Sequence, residues 1–431
     1  MNVLILHGYS DSNKGDLAIV VGMVQGIVAT RPGVQIQLQS VYSQADPEFD
    51  FHHRFVRKIG VQVQQMAVPS PYVDSTDQSR FRNIGALRNL AMSAFAEMCA
   101  RLLPPLGALF PRQAEALSWI KKSDIVLLKG GQYIYNDQRG LRAFLYLWRI
   151  LHPIYVAVGM GKPVVMVGQS VGPLVDERGR RMTAKALGLC KRLVVREKKT
   201  QALMAELGLQ ASTELAPDFA FLIEPKRPDS FPQTADRIES GRWLGITVVK
   251  WSFPDASDPQ AKRMAYLDAL TEIAKRIHAK SGLSMALFPQ VTVQHHGESD
   301  VDLLKQLAER LVQLNIPHFL VADDLAPEEL SYLYGRCEVL LGTRLHSCIL
   351  AACAATPVVA IRYQGFKTEG IMAELGLADS VFDIAAMDVD GIEAAIYRSL
   401  ESRARISAQI KARVDGFRKQ LIEVLDRVLP R

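Results

Sequence analysis

The chain has 431 residues, of which 48% are hydrophobic and 22% are charged. This balance is typical of a folded globular protein, and the length is enough for two domains of ordinary size. The net charge of +6 suits an anionic substrate, a nucleic acid or an anionic membrane surface, and does not choose among them. The five cysteines lack metal-binding spacing, which is typical of free thiols in a reducing compartment.

Short apolar runs alternate with longer helical segments in the first half of the chain. Residues 2–7 predict a first strand and not a signal peptide, and helical spacing follows from Asp16 to Val28. Further strands are predicted at 34–40, 124–131, 163–173 and 192–197. This alternation predicts a parallel sheet with helices on both faces. Because no apolar run reaches 18 residues, we expect no membrane-spanning helix.

The segment 224–241, rich in proline and charge, is the best candidate for a linker, and the alternation resumes after it. We therefore predict an N-terminal domain over 1–225 and a C-terminal domain over 240–387. The helical segment 388–431 is long enough to return to the first domain. The fold class is α/β, with two Rossmann-like, doubly wound domains that face a cleft.

Residues 47–122 interrupt the alternation, and we expect a helical insertion there. Within it, residues 78–112 combine basic side chains with a long apolar face. One interpretation is a helix that covers the sheet. The other is a surface that touches a membrane or a lipid-linked substrate, because basic flanks beside exposed apolar residues favour an interface.

Ligands of open parallel sheets bind beyond the carboxyl ends of the strands, so polar residues at those positions are candidates for the site. Asn13, Gly15 and Asp16 follow the first strand. Gly15 allows a tight turn. Asp16 either caps the next helix or contributes to acceptor binding or acts as a base.

Two further predicted strand ends carry candidate acceptor or cleft residues. Gly130 and Gly131 would let the backbone approach a ligand closely, although glycine pairs are also common in turns. Gln169 and Ser170 lie after the next strand and could donate hydrogen bonds to a ligand. Turn formation alone would explain the glycines and proline around them equally well.

Arg196 follows a buried strand and needs a partner, because a buried charge is costly when it stands alone. That partner is either a carboxylate of the protein or a bound anion. Asp218 stands at a similar strand end.

Residues 342–361 carry the most specific signal. Thr343 is expected to cap a helix that starts near Arg344, which places Arg344 and His346 in the first turn. Helix N-termini favour anions, so cations there suit a bound phosphate or carboxylate better than the helix itself. Lys367 adds positive charge near the same rim. The alternative to an anion site is that Arg344 is an ordinary surface arginine and His346 an ordinary core histidine.

The remaining histidine pairs give no sign of a metal centre. His295 and His296 follow a predicted strand and are expected to line the cleft, but adjacent histidines rarely share one metal. We therefore predict no metal. The basic residues are dispersed and no stripe of aromatic and basic residues occurs, so nucleic-acid binding is not expected.

An ordered set of short motifs resembles the polysaccharide pyruvyl transferases. The motifs are NKGDLAI (13–19), Gly130-Gly131, GQSVGP (168–173), VRE (195–197), PDFAF (217–221), SDVDLLKQL (299–307) and TRLH (343–346). The resemblance implies a GT-B-like pair of domains and phosphoenolpyruvate as donor. It implies a sugar of a cell-surface glycan or exopolysaccharide as acceptor, with a pyruvate ketal and phosphate as products. No cofactor is implied.

The resemblance also assigns residues. Donor binding carries over to Arg196, Arg344, Leu345 and His346. Our hypothesis is that the two arginines clamp the anion and that His346 binds phosphate or acts as general acid. Asp16 or Asp218 would orient or deprotonate a hydroxyl. Reaction of one hydroxyl would give an enolpyruvyl ether and reaction of two would give a ketal, and the sequence leaves both open.

Two other functions fit the same architecture. One is a glycosyltransferase with a nucleotide-sugar donor, in which Arg344 and Lys367 would hold a diphosphate. The other is a non-catalytic, membrane-associated binding protein in which residues 78–112 are the active part. For the pyruvyl transferase we expect a cytoplasmic enzyme, peripheral at the inner face of the membrane, with a free or lipid-linked oligosaccharide acceptor.

Overall fold

The computed structural model describes residues 1–72, 82–293, 299–363 and 367–430. It divides into two compact units. The first contains Met1–Asp11, Ile19–Phe219 and Gln420–Arg431, and the second contains Ser12–Ala18 and Ala220–Lys419. The change of unit at 219/220 lies close to the end that we predicted for the N-terminal domain. Two short segments cross between the units. Residues 12–18, near the start of the chain, belong to the second unit, and residues 420–431, at its end, belong to the first.

The first unit is built on a parallel sheet. Its strands are β1 (Asn2–Gly8), β2 (Gln35–Ser40), β3 (Gln62–Gln65), β4 (Ile125–Leu128), β5 (Gly131–Asn136), β6 (Val164–Leu174), β7 (Arg192–Val195) and β8 (Thr213–Leu215). Their order is β3-β2-β1-β4-β6-β7-β8, with β5 paired to β6. The central strands are continuous apolar runs because helices cover both faces. The order of the chain reverses between β1 and β4, where doubly wound folds bind ligands.

Helices of the first unit alternate with these strands. They are α1 (Lys14–Thr30), whose first turn groups with the second unit, α2 (Phe49–His52), α3 (Arg54–Lys58), α4 (Arg82–Leu102), α5 (Pro111–Lys122), α6 (Leu141–Gly159), α7 (Glu177–Leu187) and α8 (Lys198–Glu206). A core of buried Leu, Ile and Val side chains from β1, β4, β6 and α6 holds the helices to the sheet.

The second unit repeats the plan. Its strands are β9 (Trp243–Thr247), β10 (Ser284–Leu287), β11 (His318–Leu320), β12 (Val339–Gly342), β13 (Val358–Arg362) and β14 (Val381–Asp383), in the order β11-β10-β9-β12-β13-β14. All neighbouring strands are parallel. Its helices are α9 (Pro232–Glu239), α10 (Pro259–Ser281), α11 (Val301–Gln313), α12 (Pro327–Gly335), α13 (Leu345–Cys353), α14 (Lys367–Glu374), α15 (Val389–Glu401) and α16 (Arg403–Val428). The predicted pair of Rossmann-like α/β units is confirmed.

One detail of the sequence prediction was wrong. The insertion at 47–122 is not wholly helical, because it contains β3, which extends the sheet beyond β2. Four residues are too few to show a strand period in the sequence. Pro153 lies inside α6, which continues to Gly159. The carbonyl of Ile150, one turn before this proline, accepts a hydrogen bond from His7 Nε2 at 2.9 Å.

By length and composition α6 could cross a membrane, and 44% of its apolar window is buried. Its buried face contains Leu147, Ile150 and Ile154, which are fully enclosed in the core of the first unit. That packing is typical of the core helix of an α/β domain.

The last helix ends in the first unit. Leu421, Val424 and Leu425 of α16 are fully buried. Arg31 in turn pairs with Asp426 at 2.7 Å. Residues 420–431 are therefore part of the fold of the first unit and not an appended tail.

Candidate functional site

The strongest candidate site lies at the carboxyl ends of β9 and β12, where the strand order of the second sheet reverses. Arg344 is the residue before α13, with extended backbone angles (φ −87°, ψ 126°), and α13 begins at Leu345. The buried small residues Cys348, Ala351 and Ala352 let α13 pack tightly on the sheet. The N-terminus of α13 is therefore fixed at the place where doubly wound folds bind ligands.

Thr343 does not cap α13, which corrects the sequence prediction. Its hydroxyl instead forms a hydrogen bond with that of Tyr266, with 2.7 Å between the oxygens. Its backbone N–H donates to Thr247 Oγ1 at 3.2 Å. Ser347 Oγ lies 2.8 Å from the same Thr247 oxygen and donates to the Arg344 carbonyl at 2.6 Å. These buried bonds fix the backbone on both sides of Arg344.

Arg344 is held by a carboxylate that sequence reasoning did not single out. Its Nη2 donates to Asp300 Oδ1 at 2.7 Å, and the Asp300 side chain is fully buried whereas that of Arg344 is 16% exposed. The guanidinium also lies over the ring of Tyr363, 5.9 Å from its centroid. The planar fork is thus oriented and still reaches the surface. The run 299–307 was part of the sequence signature, but the pattern gave no reason to choose Asp300 from it.

Asp300 also organises the loop after β10. Its Oδ2 accepts hydrogen bonds from the backbone N–H of Val291 at 2.9 Å and of Gln290 at 3.3 Å. Burial raises the pKa of Asp300 above its ordinary value, while Arg344 and these donors oppose the rise. Asp300 therefore couples the position of Arg344 to that of residues 290–292.

Residues 12–14, which include the start of the NKGDLAI motif, join the same cluster. Asn13 pairs with Val291 in an antiparallel bridge. The N–H of Thr292 donates to the Ser12 carbonyl, and that of Lys14 donates to the Gln290 carbonyl. Lys14 Nζ pairs with Asp324 at 2.7 Å. Two parts of the chain that lie far apart in sequence therefore meet beside Arg344.

Gly15 lies directly against His346. A Cβ atom at Gly15 would be only 2.5 Å from His346 Nδ1, so no other residue fits there without moving the imidazole. Asn13 Oδ1 accepts from the N–H groups of Gly15 and Asp16, at 3.1 and 3.3 Å. Asn13 is therefore the cap of α1, and Asp16 is not, which corrects that alternative. The first turns of α1 and α13 meet at His346.

Leu345 and Lys367 are the other two residues of the second unit that were predicted to bind the donor. Leu345 is buried, so its own contact with a ligand would come from its backbone N–H, which helix geometry leaves without an intrahelical partner. Lys367 is the first residue of α14 and is half-buried.

In the first unit, Arg196 and Asp218 form a buried ion pair. Arg196 Nη1 bonds to Asp218 Oδ2, with the side chains 3% and 1% exposed, and Arg196 Nε donates to Ser170 Oγ at 2.8 Å. The structure thus brings together three residues predicted for the site. The carboxylate satisfies the need for a partner that the sequence indicated.

The neighbouring glycines serve close packing of the strand ends. A Cβ at Gly130 would lie 2.8 Å from the Gly168 carbonyl oxygen, and Gly131 has a φ of 131°. Gln169 is fully buried, and neither atom of its amide group has a hydrogen-bond partner among the described residues. Gly130 therefore lets the chain after β4 approach β6 closely. Gln169 and Ser170 lie within β6 and not after a strand, which corrects the sequence prediction, and the Gln169 amide has unused hydrogen-bonding capacity.

Two further predictions concern the histidine pair 295–296 and metal binding. His295 and His296 lie outside the described residues. Within the described ranges, no three His, Cys, Asp or Glu side chains are grouped as a metal ion would require.

The predicted interface segment 78–112 is described from Arg82 onward, and there α4 turns an apolar stripe to the surface. Exposed apolar side chains recur at helical spacing: Ile84, Leu87, Met92, Phe95, Met98 and Leu102. Ile84 is 67% exposed and Phe95 is 57% exposed. Glu97 is the one acidic residue between 82 and 112, and it is buried against Arg101 at 2.9 Å. The exposed face is therefore apolar with basic flanks.

Comparison with known proteins places these residues in a family. A family model described as polysaccharide pyruvyl transferase matches residues 13–365, which include both the 13–19 segment and TRLH. The amylovoran biosynthesis protein AmsJ of Erwinia amylovora is 24% identical over 437 residues, covering 96% of each chain.

Solved structures with related folds are more distant in sequence. HepE of Anabaena in complex with UDP-glucose has a TM-score of 0.53 at 9% identity, covering 99% of this chain and 97% of that one. UDP-GlcNAc 2-epimerase of Neisseria meningitidis bound to UDP-GlcNAc has a TM-score of 0.55 at 11% identity, covering 99% of each. Identities this low show the shared fold alone, which is that of the GT-B glycosyltransferases and epimerases.

Proposed function

The chain belongs to the polysaccharide pyruvyl transferase family, and we propose that it transfers the pyruvyl group of phosphoenolpyruvate to hydroxyls of a sugar. Membership makes it a transferase of polysaccharide biosynthesis, in keeping with its amylovoran relative. The proposed acceptor is a sugar of a cell-surface glycan or exopolysaccharide, and the proposed products are a pyruvate ketal and phosphate.

The observation that carries the proposal is the cluster around His346. The first turns of α1 and α13 meet at this imidazole, and each contributes the positive end of a helix dipole. Arg344 adds a guanidinium that Asp300 orients. Phosphoenolpyruvate carries a phosphate and a carboxylate, and a helix N-terminus with an oriented arginine is suited to both groups.

The chemistry needs a proton donor and a stabiliser of negative charge. A proton adds to the methylene carbon of phosphoenolpyruvate, and the oxygen of a sugar hydroxyl bonds to the electron-poor C2 as its proton passes to a base. The bond between C2 and the phosphate oxygen then breaks and phosphate leaves. A second hydroxyl attacks C2 and loses its proton, which closes the ketal. Arg344 would stabilise the departing phosphate, and His346 would donate the proton or bind the phosphate.

The other assigned roles stay predictions. Donor contacts from Leu345, Lys367 and Arg196 belong to the proposal, although Arg196 already holds Asp218. Asp16 is our preferred residue to orient or deprotonate a hydroxyl, because it follows Gly15 in the first turn of α1.

The proposal also includes where the enzyme works. We propose a cytoplasmic protein, peripheral at the inner face of the membrane through residues 78–112, with no cofactor beyond its donor substrate. The apolar stripe of α4 and its basic flanks support this placement, since basic amphipathic helices lie in the interface of anionic membranes.

The test is product analysis. Phosphoenolpyruvate labelled with ¹³C at C2 is incubated with the protein and with glycan extracted from a strain that lacks the enzyme. Phosphate release and the ¹³C signal of the glycan are then followed. We expect acceptor-dependent phosphate release and a quaternary ketal carbon. The His346→Gln variant should lose at least about 100-fold of the rate, which is the usual size of a general-acid contribution.

Different products would discriminate the alternatives. A vinylic C2 signal would mean enolpyruvyl transfer. Transfer of sugar from a nucleotide-sugar, with no reaction of phosphoenolpyruvate, would replace the proposal with glycosyl transfer.

A further inference from the structure

Lys14, the lysine of the NKGDLAI motif, is the first residue of α1 and is almost fully buried. A cation at the N-terminus of a helix is unfavourable for the helix itself, so this lysine should either bind an anion or pair with a carboxylate. Its ammonium group lies 2.7 Å from Asp324 Oδ1, with the two side chains 3% and 42% exposed. The carboxylate offsets part of the cost of burying the charge.

Asp324 lies in the loop between β11 and α12, and this loop is itself held in the second unit. The N–H of Val321 donates to the Leu287 carbonyl of β10 at 3.0 Å. Asp323, the residue before Asp324, accepts a hydrogen bond from the Thr234 hydroxyl of α9. The carboxylate that meets the ammonium group therefore stands on a fixed part of the unit.

The backbone at Lys14 is tied to a different loop, the one after β10. Its N–H donates to the Gln290 carbonyl at 3.0 Å. Asp300 holds this loop through the N–H of Gln290 at 3.3 Å, and its other carboxylate oxygen holds Arg344 at 2.7 Å. The first turn of α1 is thus linked by its backbone to the loop that Asp300 organises, and by the Lys14 side chain to Asp324.

The position of this turn decides where the imidazole of His346 can lie. Gly15 follows Lys14, and a Cβ atom there would be only 2.5 Å from His346 Nδ1, so the backbone of the turn and the imidazole are in close contact. A small movement of the turn would therefore displace the imidazole. Reaction rates are sensitive to such changes, because a misplacement of about 1 Å can reduce a rate about 100-fold.

We propose that Lys14 is a positioning residue, which through its ion pair with Asp324 holds the first turn of α1 against His346, and that it does not itself bind the donor. The inference rests on the proposed function, because it concerns the imidazole to which proton donation or phosphate binding is assigned. Within the motif, Asn13 caps α1, Lys14 anchors it and Gly15 leaves room for the imidazole.

A double-mutant cycle of Lys14→Gln, Asp324→Asn and the double variant tests the proposal. Steady-state kinetics with phosphoenolpyruvate and acceptor glycan give kcat/KM. In protein labelled with ¹³C-histidine, the NMR signal that is lost in His346→Gln reports the surroundings of this imidazole without substrate. We expect each single variant to lower kcat/KM at least about tenfold and to shift the His346 signal. The double variant should lose no more than the single variants, because both remove the same ion pair.

The exposed pair of Lys411 and Asp415 on α16, 2.9 Å apart, is the matched control. Lys411→Gln and Asp415→Asn should leave kcat/KM and the His346 signal unchanged. Wild-type kinetics with an unshifted signal in Asp324→Asn would overturn the proposal, because a lysine that binds the donor directly does not need this carboxylate. Losses that multiply in the double variant would overturn it as well.

The proposal and the proposed function fail separately. Absence of pyruvyl transfer by the wild type refutes the proposed function, and the His346 signal of the variants then still decides whether Lys14 positions the imidazole. Asp324 is partly exposed, so its variant keeps the test decisive even if Lys14→Gln fails to fold.

Discussion

At the scale of single residues, the site depends on a glycine, Gly15, as much as on its charged side chains. Gly15 has no φ constraint that would demand glycine, but His346 occupies the space that any Cβ would need. The NKGD segment therefore acts on His346 through shape. A glycine in a helix normally lowers stability by about 0.5–1 kcal/mol relative to alanine, so its presence in α1 calls for such a reason.

The Gly15→Ala substitution tests this contact. The methyl group should displace the imidazole, so we expect kcat/KM to fall at least about tenfold while the fold persists, since misplaced catalytic groups lose that much or more. Gly416→Ala is the matched control, because a Cβ there meets nothing within 4 Å. Steady-state kinetics measure kcat/KM of both variants, and thermal unfolding shows whether each is folded. Equal activity of Gly15→Ala and wild type would remove His346 from the mechanism.

The sequence predicted Arg344 and His346 because cations at a helix N-terminus are unfavourable for the helix alone. It could not predict their partners. Asp300 is 44 residues from Arg344 and lies in a run with other acidic residues, so no local period distinguishes it. The same limit applies to Arg196, for which the sequence required a partner without identifying Asp218. Side-chain partners across strand ends depend on tertiary packing, which local patterns do not contain.

At the scale of elements, strands with long apolar runs were predictable and short or edge strands were not. β4 and β12 are buried on both faces and show in the sequence as unbroken aliphatic stretches. β3 has four residues and three of its side chains are glutamine, so its sequence gives no strand signal. The apolar pattern of α4 was visible, but only the structure shows that one of its apolar stripes is exposed.

Replacing Phe95 and Met98 together by glutamine tests the interface proposed for α4. Burial of each apolar side chain in a membrane contributes about 1.5–3 kcal/mol, so binding to phosphatidylglycerol vesicles should fall more than about tenfold. Co-sedimentation with vesicles measures this. The control is the double change Val312→Gln and Leu314→Gln, which alters exposed apolar residues of the second unit. Equal sedimentation of both double variants would contradict the interface.

At the scale of the whole molecule, each unit contains a hydrophobic core of aliphatic side chains from a parallel sheet and its helices. Unfolding is therefore not expected to follow a single two-state transition. The first unit also contains two histidines that are buried in their neutral form. Burial lowers the pKa of His7 to about 3 and that of His53 to about 3.

These two histidines predict acid sensitivity of the first unit. In the unfolded chain they bind protons near the ordinary pKa of about 6.5, and in the folded unit they do not, so stability falls as the pH drops from about 6.5 toward 3. Between pH 7.5 and 5.5 the loss should be about 1.4 kcal/mol for each histidine. Calorimetry of wild type and His53→Gln over this range measures it. The variant should lose less stability than wild type on acidification, and an identical pH dependence would contradict the assignment.

The central claim, that Arg344 and His346 form the site of phosphoenolpyruvate, is tested most directly by a thermal-shift titration. A ligand that binds only the folded state raises the unfolding temperature increasingly as its concentration exceeds the dissociation constant. Phosphoenolpyruvate and a set of nucleotide-sugars are titrated into wild type, Arg344→Ala and Arg310→Ala, the last removing a surface arginine of the same unit. We predict stabilisation by phosphoenolpyruvate in wild type and Arg310→Ala and its loss in Arg344→Ala. Equal stabilisation of all three proteins, or stabilisation by a nucleotide-sugar alone, would contradict the claim.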